Sequence, residues 1–232
     1  EISGAKQVKK GFDRKDFLTY QLPFNYDPKA SAPLFEKYLN KVLPDIDSQK
    51  ILAEYLGYVF IDNKTLKLEK ILVLLGSGAN GKSVFFEIVT ALLGKQNISN
   101  YSLQNLTDEN GYYRAMFSNK LLNYASEING KLDPAIFKQL ASGETVGARL
   151  PYGKPMQIDR YGKMIFNANG MPVETEQTHG FHRKWLVVPF NVTISDNEQD
   201  PELPQKIIAS ELSGVFNWVL IGLNRLLKQK KF

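Results

Sequence analysis

Apolar positions along this chain fall into two rhythms. Between residues 17 and 62 they recur at helical spacing, in groups such as Leu34–Phe35–Tyr38–Leu39 and Ile51–Leu52–Tyr55–Leu56, separated by Pro23, Pro28, Pro33 and Pro44. That pattern predicts a small helical layer. From residue 71 the rhythm changes to short apolar runs, Ile71–Leu75, Leu121–Ala125, Met164–Phe166 and Trp185–Phe190, divided by longer helix-like stretches. Such alternation predicts an α/β fold around a mainly parallel sheet. Residues 203 to 228 return to helical spacing, with Leu203, Ile207, Ile208, Leu212, Val215, Phe216 and Val219 on one face. The expected organisation is a polar, lysine-rich linker or edge over 1–16, a small N-terminal helical domain over 17–65, an α/β core over 66–200 and a C-terminal helical segment over 201–232.

Composition narrows the chemistry. The chain has 232 residues, 43% hydrophobic and 23% charged, which suits one sizeable domain or a core with a small appendage. The absence of cysteine excludes disulfides and thiolate zinc sites, and two histidines, His179 and His182, argue against an all-protein transition-metal site. No apolar run approaches the roughly 18 residues needed to span a bilayer, so no membrane partner and a cytoplasmic location are expected. A net charge of +5 is compatible with a polyanionic partner and equally with plain solubility. The chain starts at Glu1 without a methionine and reads as a piece of something longer.

The first strand-like run leads into the chemistry. Ile71–Leu75 is followed by Gly76, Ser77, Gly78, Ala79, Asn80, Gly81, Lys82 and Ser83, then by an amphipathic run that stops at Gly94. The glycines permit backbone angles and close approaches that a Cβ would block, and successive N–H groups in such a turn form an anion-binding concavity. The spacing Gly76-x-x-x-x-Gly81-Lys82-Ser83 satisfies the Walker A pattern in the strand–loop–helix setting that pattern needs. With average residue usage, the four fixed positions match by chance in a chain this long on the order of once in a hundred, and the flanking elements make chance rarer still. The expectation is a nucleoside triphosphate site, with Lys82 on the β- and γ-phosphates and the Ser83 hydroxyl on Mg²⁺.

Hydrolysis also needs an acid, a polar group near the γ-phosphate and a further positive charge. The run LLNYASEI ends in Glu127, where a Walker B acid is expected, with Ser126 in place of a second acid. KMIFNANGMP ends a strand at Asn169, whose amide can meet both the γ-phosphate and the attacking water. GFHRKWLVVPF places Arg183 and Lys184 before a strand, where a guanidinium can reach a phosphate across a subunit boundary. Between them, residues 144 to 164 read as a hairpin tipped by Arg149, Tyr152 and Lys154, the cation-beside-aromatic pairing that suits single-stranded nucleic acid. Each piece alone also reads as a surface glutamate, an Asn-Gly turn, a solvated basic pair and an ordinary hairpin.

Taken in order, the pieces resemble a known family. LTYQLPFNYDP, GSGANGKS, NYASEI, FKQLASGE through GARLPYGKP, FNANGMP, HRKWLVVPF and ELSGVFNWVLIGLNRL are similar to successive motifs of the superfamily 3, AAA+-type helicase region of phage and plasmid primase–helicases, which are related to the poxvirus primase–helicase. The resemblance covers nearly the whole chain. It implies a P-loop NTPase core, ATP and Mg²⁺ as cofactors, Lys82 and Ser83 on phosphates and metal, Glu127 as Walker B acid and Asn169 as sensor. It also implies Arg183 as a finger into the neighbouring subunit's site and Lys154 at the tip of a DNA-contacting hairpin. Lys184 stands where a second arginine is common, which leaves the finger open between Arg183 and Lys184. The family implies a homo-oligomer, usually a hexameric ring, translocating on single-stranded or forked DNA in a bacterial or phage-infected cell, with any primase in an N-terminal part outside these residues. The alternative is a nucleotide-switched initiator module that binds DNA with little unwinding.

Overall fold

A computed structural model describes residues 20–126, 128, 132–171 and 178–232. Its strands are β1 (Ile71–Leu75), β2 (Ile98–Ser99), β3 (Leu122–Ala125), β4 (Val146–Ala148), β5 (Met156–Ile158), β6 (Lys163–Ala168) and β7 (Trp185–Pro189). Five of them pair parallel throughout, in the order β2–β3–β6–β1–β7, while β4 and β5 make a separate antiparallel hairpin. The α/β class and the parallel sheet follow the alternation of apolar runs in the chain.

Side-chain alternation divides the sheet into two faces. Leu72, Leu74, Tyr124, Ile165 and Val188 face one side, and share a core with α1 (Pro33–Val42), α2 (Ile46–Tyr58), α3 (Lys82–Leu93), α8 (Leu203–Ser210) and α9 (Leu212–Gln229). Ile71, Val73, Ala125, Met164 and Phe166 face the other, covered by α4 (Leu103–Thr107), α5 (Tyr112–Phe117), α6 (Pro134–Ser142) and α7 (His179–His182). In α3, Phe85, Ile88, Val89 and Leu92 are buried at helical spacing. Full burial of each stabilises by roughly 1.5–3 kcal/mol over exposure. The helix ends where Gly94 takes φ 85°.

The helical run over 203 to 228 is broken once, between α8 and α9, at Glu211. Its carboxylate accepts from Leu34 N at 3.0 Å and Phe35 N at 2.9 Å. Those are first-turn amides of α1, whose own N-cap, Ala32, offers no side-chain acceptor. A carboxylate at a helix N-terminus satisfies orphan donors and complements the dipole, so the C-terminal segment ties down the N-terminal one.

Candidate functional site

The sheet's carboxyl edge is where β1 gives way to the glycine-rich loop. Gly76 N donates to Ala168 O at 2.9 Å and Phe190 N to Leu75 O at 2.7 Å, so the root of the loop is held between the ends of β6 and β7. A Cβ on Gly76 would lie 2.2 Å from Asn80 Nδ2 and 2.4 Å from Phe190 O. Gly81 takes φ 84°, and a Cβ there would meet Val42 Cγ1 at 2.6 Å. Both positions therefore require glycine. Ala79 adopts φ 47°, a left-handed conformation that costs a non-glycine residue about 1 kcal/mol or more, and its carbonyl accepts from Ile194 N at 2.7 Å.

This loop fits phosphate. Among the described residues no side chain caps the start of α3, which leaves first-turn N–H groups for an anion. Lys82 is only 7% exposed, and its Nζ donates to Gly76 O at 2.6 Å and Asn80 Oδ1 at 3.0 Å. Asn80 is itself fixed by donating Nδ2 to Phe190 O at 3.2 Å. Burial pushes the Lys82 ammonium below the usual lysine range. A buried cation whose described partners are neutral oxygens is a poised acceptor for negative charge.

A cleft of about 490 Å³ opens over the loop, within the usual range for small-molecule sites. Gly78, Ala79, Asn80, Gly81, Lys82 and Ser83 line its floor, Ser126 and Asn169 one wall, and Tyr38, Val42, Ile194 and Leu203 another. Gly76 and Ser77 lie at the root of the loop, outside that lining. The Lys41–Glu198 ion pair, at 3.1 Å, joins α1 to the 196–198 turn at the rim. Ser83 stands beside Lys82 at the helix start, and a hydroxyl with phosphate oxygens and water is the all-oxygen environment Mg²⁺ favours. Glu127 lies outside the described residues.

Arg183 and Lys184 occupy the opposite edge. They precede β7, and Ile71 N at the start of β1 donates to Lys184 O. A five-residue strand separates them from the P-loop of the same chain, about 16 Å at ordinary strand rise. The two cations differ. The Lys184 side chain is 5% exposed and donates to Glu69 Oε2 at 2.7 Å and Ser142 Oγ at 2.6 Å. The Arg183 side chain is 57% exposed and, among the described residues, makes one 3.4 Å contact, to Glu69. Lys184 is committed inside the fold, and Arg183 is presented outward.

The hairpin stands apart from the cleft. Lys154 is exposed, Tyr152 is fully exposed at φ 60°, and Leu150 and Met156 are exposed beside them. Arg149 is held closer in. Its guanidinium lies 5.3 Å from the Tyr112 ring centroid and donates to the Tyr112 hydroxyl at 2.9 Å.

With this geometry in view, comparison with known proteins is informative. Residues 74–184 match a family model described as a family of unknown function (DUF5906). The chain is 25% identical over 166 residues, 66% of its length, to "Putative helicase L207/L206" of Acanthamoeba polyphaga mimivirus. It is similar in fold to the apo structure of the NrS-1 C-terminal region (305–718), with a TM-score of 0.64 at 17% identity over 90% of this chain. An A-form apo structure of that region gives 0.63 at the same identity and coverage. The chain spans 16% of the mimivirus protein and about half of the NrS-1 region, 53% and 55% in the two structures in that order.

Several residues at the two edges of the sheet escape a reading of motifs. Tyr38 reaches the cleft from α1, donating to Gly81 O at 2.8 Å, and Glu69 organises the cations of the opposite edge. Asn167, inside β6, lines the cleft two residues before Asn169, which lies just past the strand's end at Ala168. That two-residue spacing was the available signal.

Proposed function

We propose that this chain is the motor region of an ATP-driven DNA helicase from a phage, plasmid or mobile-element replication protein. The observation that carries the proposal is the convergence, in one cleft, of a glycine-rich cradle, the buried Lys82 cation, the Ser83 hydroxyl and the Asn169 amide. Lys82 meets the β- and γ-phosphates in place of its present carbonyl partners. Ser83 and Glu127 would hold Mg²⁺, which would supply positive charge to neutralise the phosphates. Glu127 accepts a proton from the attacking water, Asn169 orients that water against the γ-phosphoryl group, and ADP and phosphate leave.

Arg183 lies too far from its own loop to serve it, so it completes the site of a neighbouring copy and stabilises charge on the transferred phosphoryl group. Each site then belongs to two subunits of a ring, a hexamer by family resemblance. The exposed Tyr152 and Lys154 contact single-stranded or forked DNA. Similarity to a protein named as a helicase supports the same reading.

The test is ATPase rate with and without single-stranded DNA, strand separation on a fork and the mass of the assembly. DNA-stimulated, Mg²⁺-dependent turnover that Lys82→Ala abolishes is expected. Nucleotide-dependent DNA binding without turnover selects the initiator module instead.

A further inference from the structure

Asn167 is polar where its surroundings are not. It lies on the sheet face formed by Leu72, Leu74, Tyr124 and Ile165, and is 6% exposed. Its register partner on β1 is Leu74, one residue before the end of that strand. Its Oδ1 accepts from the Tyr124 hydroxyl at 3.0 Å. The Tyr124 ring is itself fully buried and packs edge-on against Phe86 of α3, with centroids 4.9 Å apart. Burial holds the phenol well above its ordinary range, so it stays protonated and donates.

That bond orients the amide. With the oxygen taken, Nδ2 remains, and among the described residues it has no hydrogen-bond partner, although Asn167 lines the cleft. A polar pair serving only the fold would close on itself, because a buried donor left unmade costs about 1–3 kcal/mol, while two apolar residues of the same shape are nearly neutral. A pair satisfied on one side and open on the other is built for an acceptor arriving from the cleft. The Lys82–Ser83 end of the P-loop lines the same cleft.

Resting on the proposed nucleotide site, we infer that Asn167 donates a hydrogen bond to an oxygen of the terminal phosphate, and that Tyr124 is the residue that positions it. Asn167 thereby distinguishes a triphosphate from a diphosphate, independently of the Asn169 amide. The contact adds no charge, so it leaves the metal and Lys82 to neutralise the phosphates.

The experiment is calorimetric titration of the whole chain with Mg²⁺ and either ADP or the non-hydrolysable β,γ-imido analogue of ATP. Asn167→Ala should lose roughly tenfold in affinity for the analogue, the scale of one hydrogen bond to a charged acceptor, and less than about twofold for ADP. Tyr124→Phe keeps the ring against Phe86 and removes only the orienting hydroxyl. It should show the same selective loss at smaller size, with a lower kcat. Should Asn167→Ala fail to fold, Tyr124→Phe decides. An equal loss for both nucleotides, or no loss in either variant, overturns the inference while leaving the nucleotide site standing. A wild-type chain that binds neither nucleotide overturns the functional proposal and this inference with it.

Discussion

The Tyr38 hydroxyl of α1 donates to the Gly81 carbonyl at 2.8 Å, joining a helix that precedes the sheet to the glycine-rich loop that follows β1. Gly81 O also accepts from Phe85 N at 3.1 Å, the first helical bond of α3. The tyrosine therefore grips the point where loop becomes helix. Burial keeps the phenol protonated far above its ordinary range.

Tyr38→Phe should keep the packing and lose the grip. Because Gly81 O retains one donor, the cost to stability should be only about 0.5–1 kcal/mol. The larger effect is expected on the loop, as a severalfold weaker affinity for ATP. Urea denaturation and nucleotide titration measure the two, and unchanged affinity would remove α1 from the site.

A second prediction concerns pH. Lys163, at the start of β6, is buried with its Nζ 4.0 Å from the Tyr58 ring centroid and bonded to Asn63 Oδ1. The ring and amide favour the ammonium, but desolvation outweighs them and lowers its pKa to about 8. The unfolded chain, with lysine near its ordinary 10.5, binds more protons between these values. Folding stability should therefore carry a full penalty below about pH 8 and gain as pH rises from there toward 10.5. Buried tyrosines titrate above that window, so the readout is the difference between wild type and Lys163→Met in denaturant midpoint from pH 7 to 9.5. A difference that stays flat with pH would show that Lys163 is not the group responsible.

How much of this was legible in the sequence depends on range. β1 and the loop were readable because an apolar run, three glycines and an amphipathic helix sit together within 24 residues. The two-residue β2 and the short α4 and α5 carry too few side chains to show a period. Met164–Phe166 marked only the middle of β6, because Lys163 and Asn167, buried at its ends, broke the apolar run. Tyr38 with Gly81, 43 residues apart, and Glu211 with Phe35, 176 apart, are set by strand order and helix packing, which no local pattern encodes.

The hairpin gives a third test. Tyr152 and Lys154 project from a turn whose strands are only three residues each, and no described hydrogen bond engages either side chain. Such exposure suits stacking on a base and contact with a phosphate. Lys154→Ala should weaken single-stranded DNA binding and flatten its salt dependence by about 0.7 in log–log slope per lost contact. Tyr152→Ala should weaken binding by roughly 1–3 kcal/mol per stacked base, with the salt slope retained. Affinity and slope that match wild type in both variants would take the hairpin out of the DNA path.

The most discriminating experiment concerns Arg183, because it tests chemistry and assembly together. Lys184 cannot take its place without abandoning Glu69 and Ser142, whereas among the described residues the Arg183 guanidinium gives up only a 3.4 Å contact on an exposed side chain. A transition-state contact matters little for ground-state binding, so Arg183→Ala should bind ATP nearly as wild type yet lose most turnover. Since the guanidinium lies at the sheet edge opposite its own loop, the lost function should be restorable from another subunit. Co-assembling Arg183→Ala with Lys82→Ala creates some interfaces that pair an intact lysine with an intact arginine, which neither pure assembly contains. Measurable ATPase should return in the mixture, in proportion to those interfaces, with distinguishable tags confirming that subunits have mixed. Wild-type turnover in pure Arg183→Ala would sink the role of the guanidinium. Turnover by a strictly monomeric protein would sink the shared site itself.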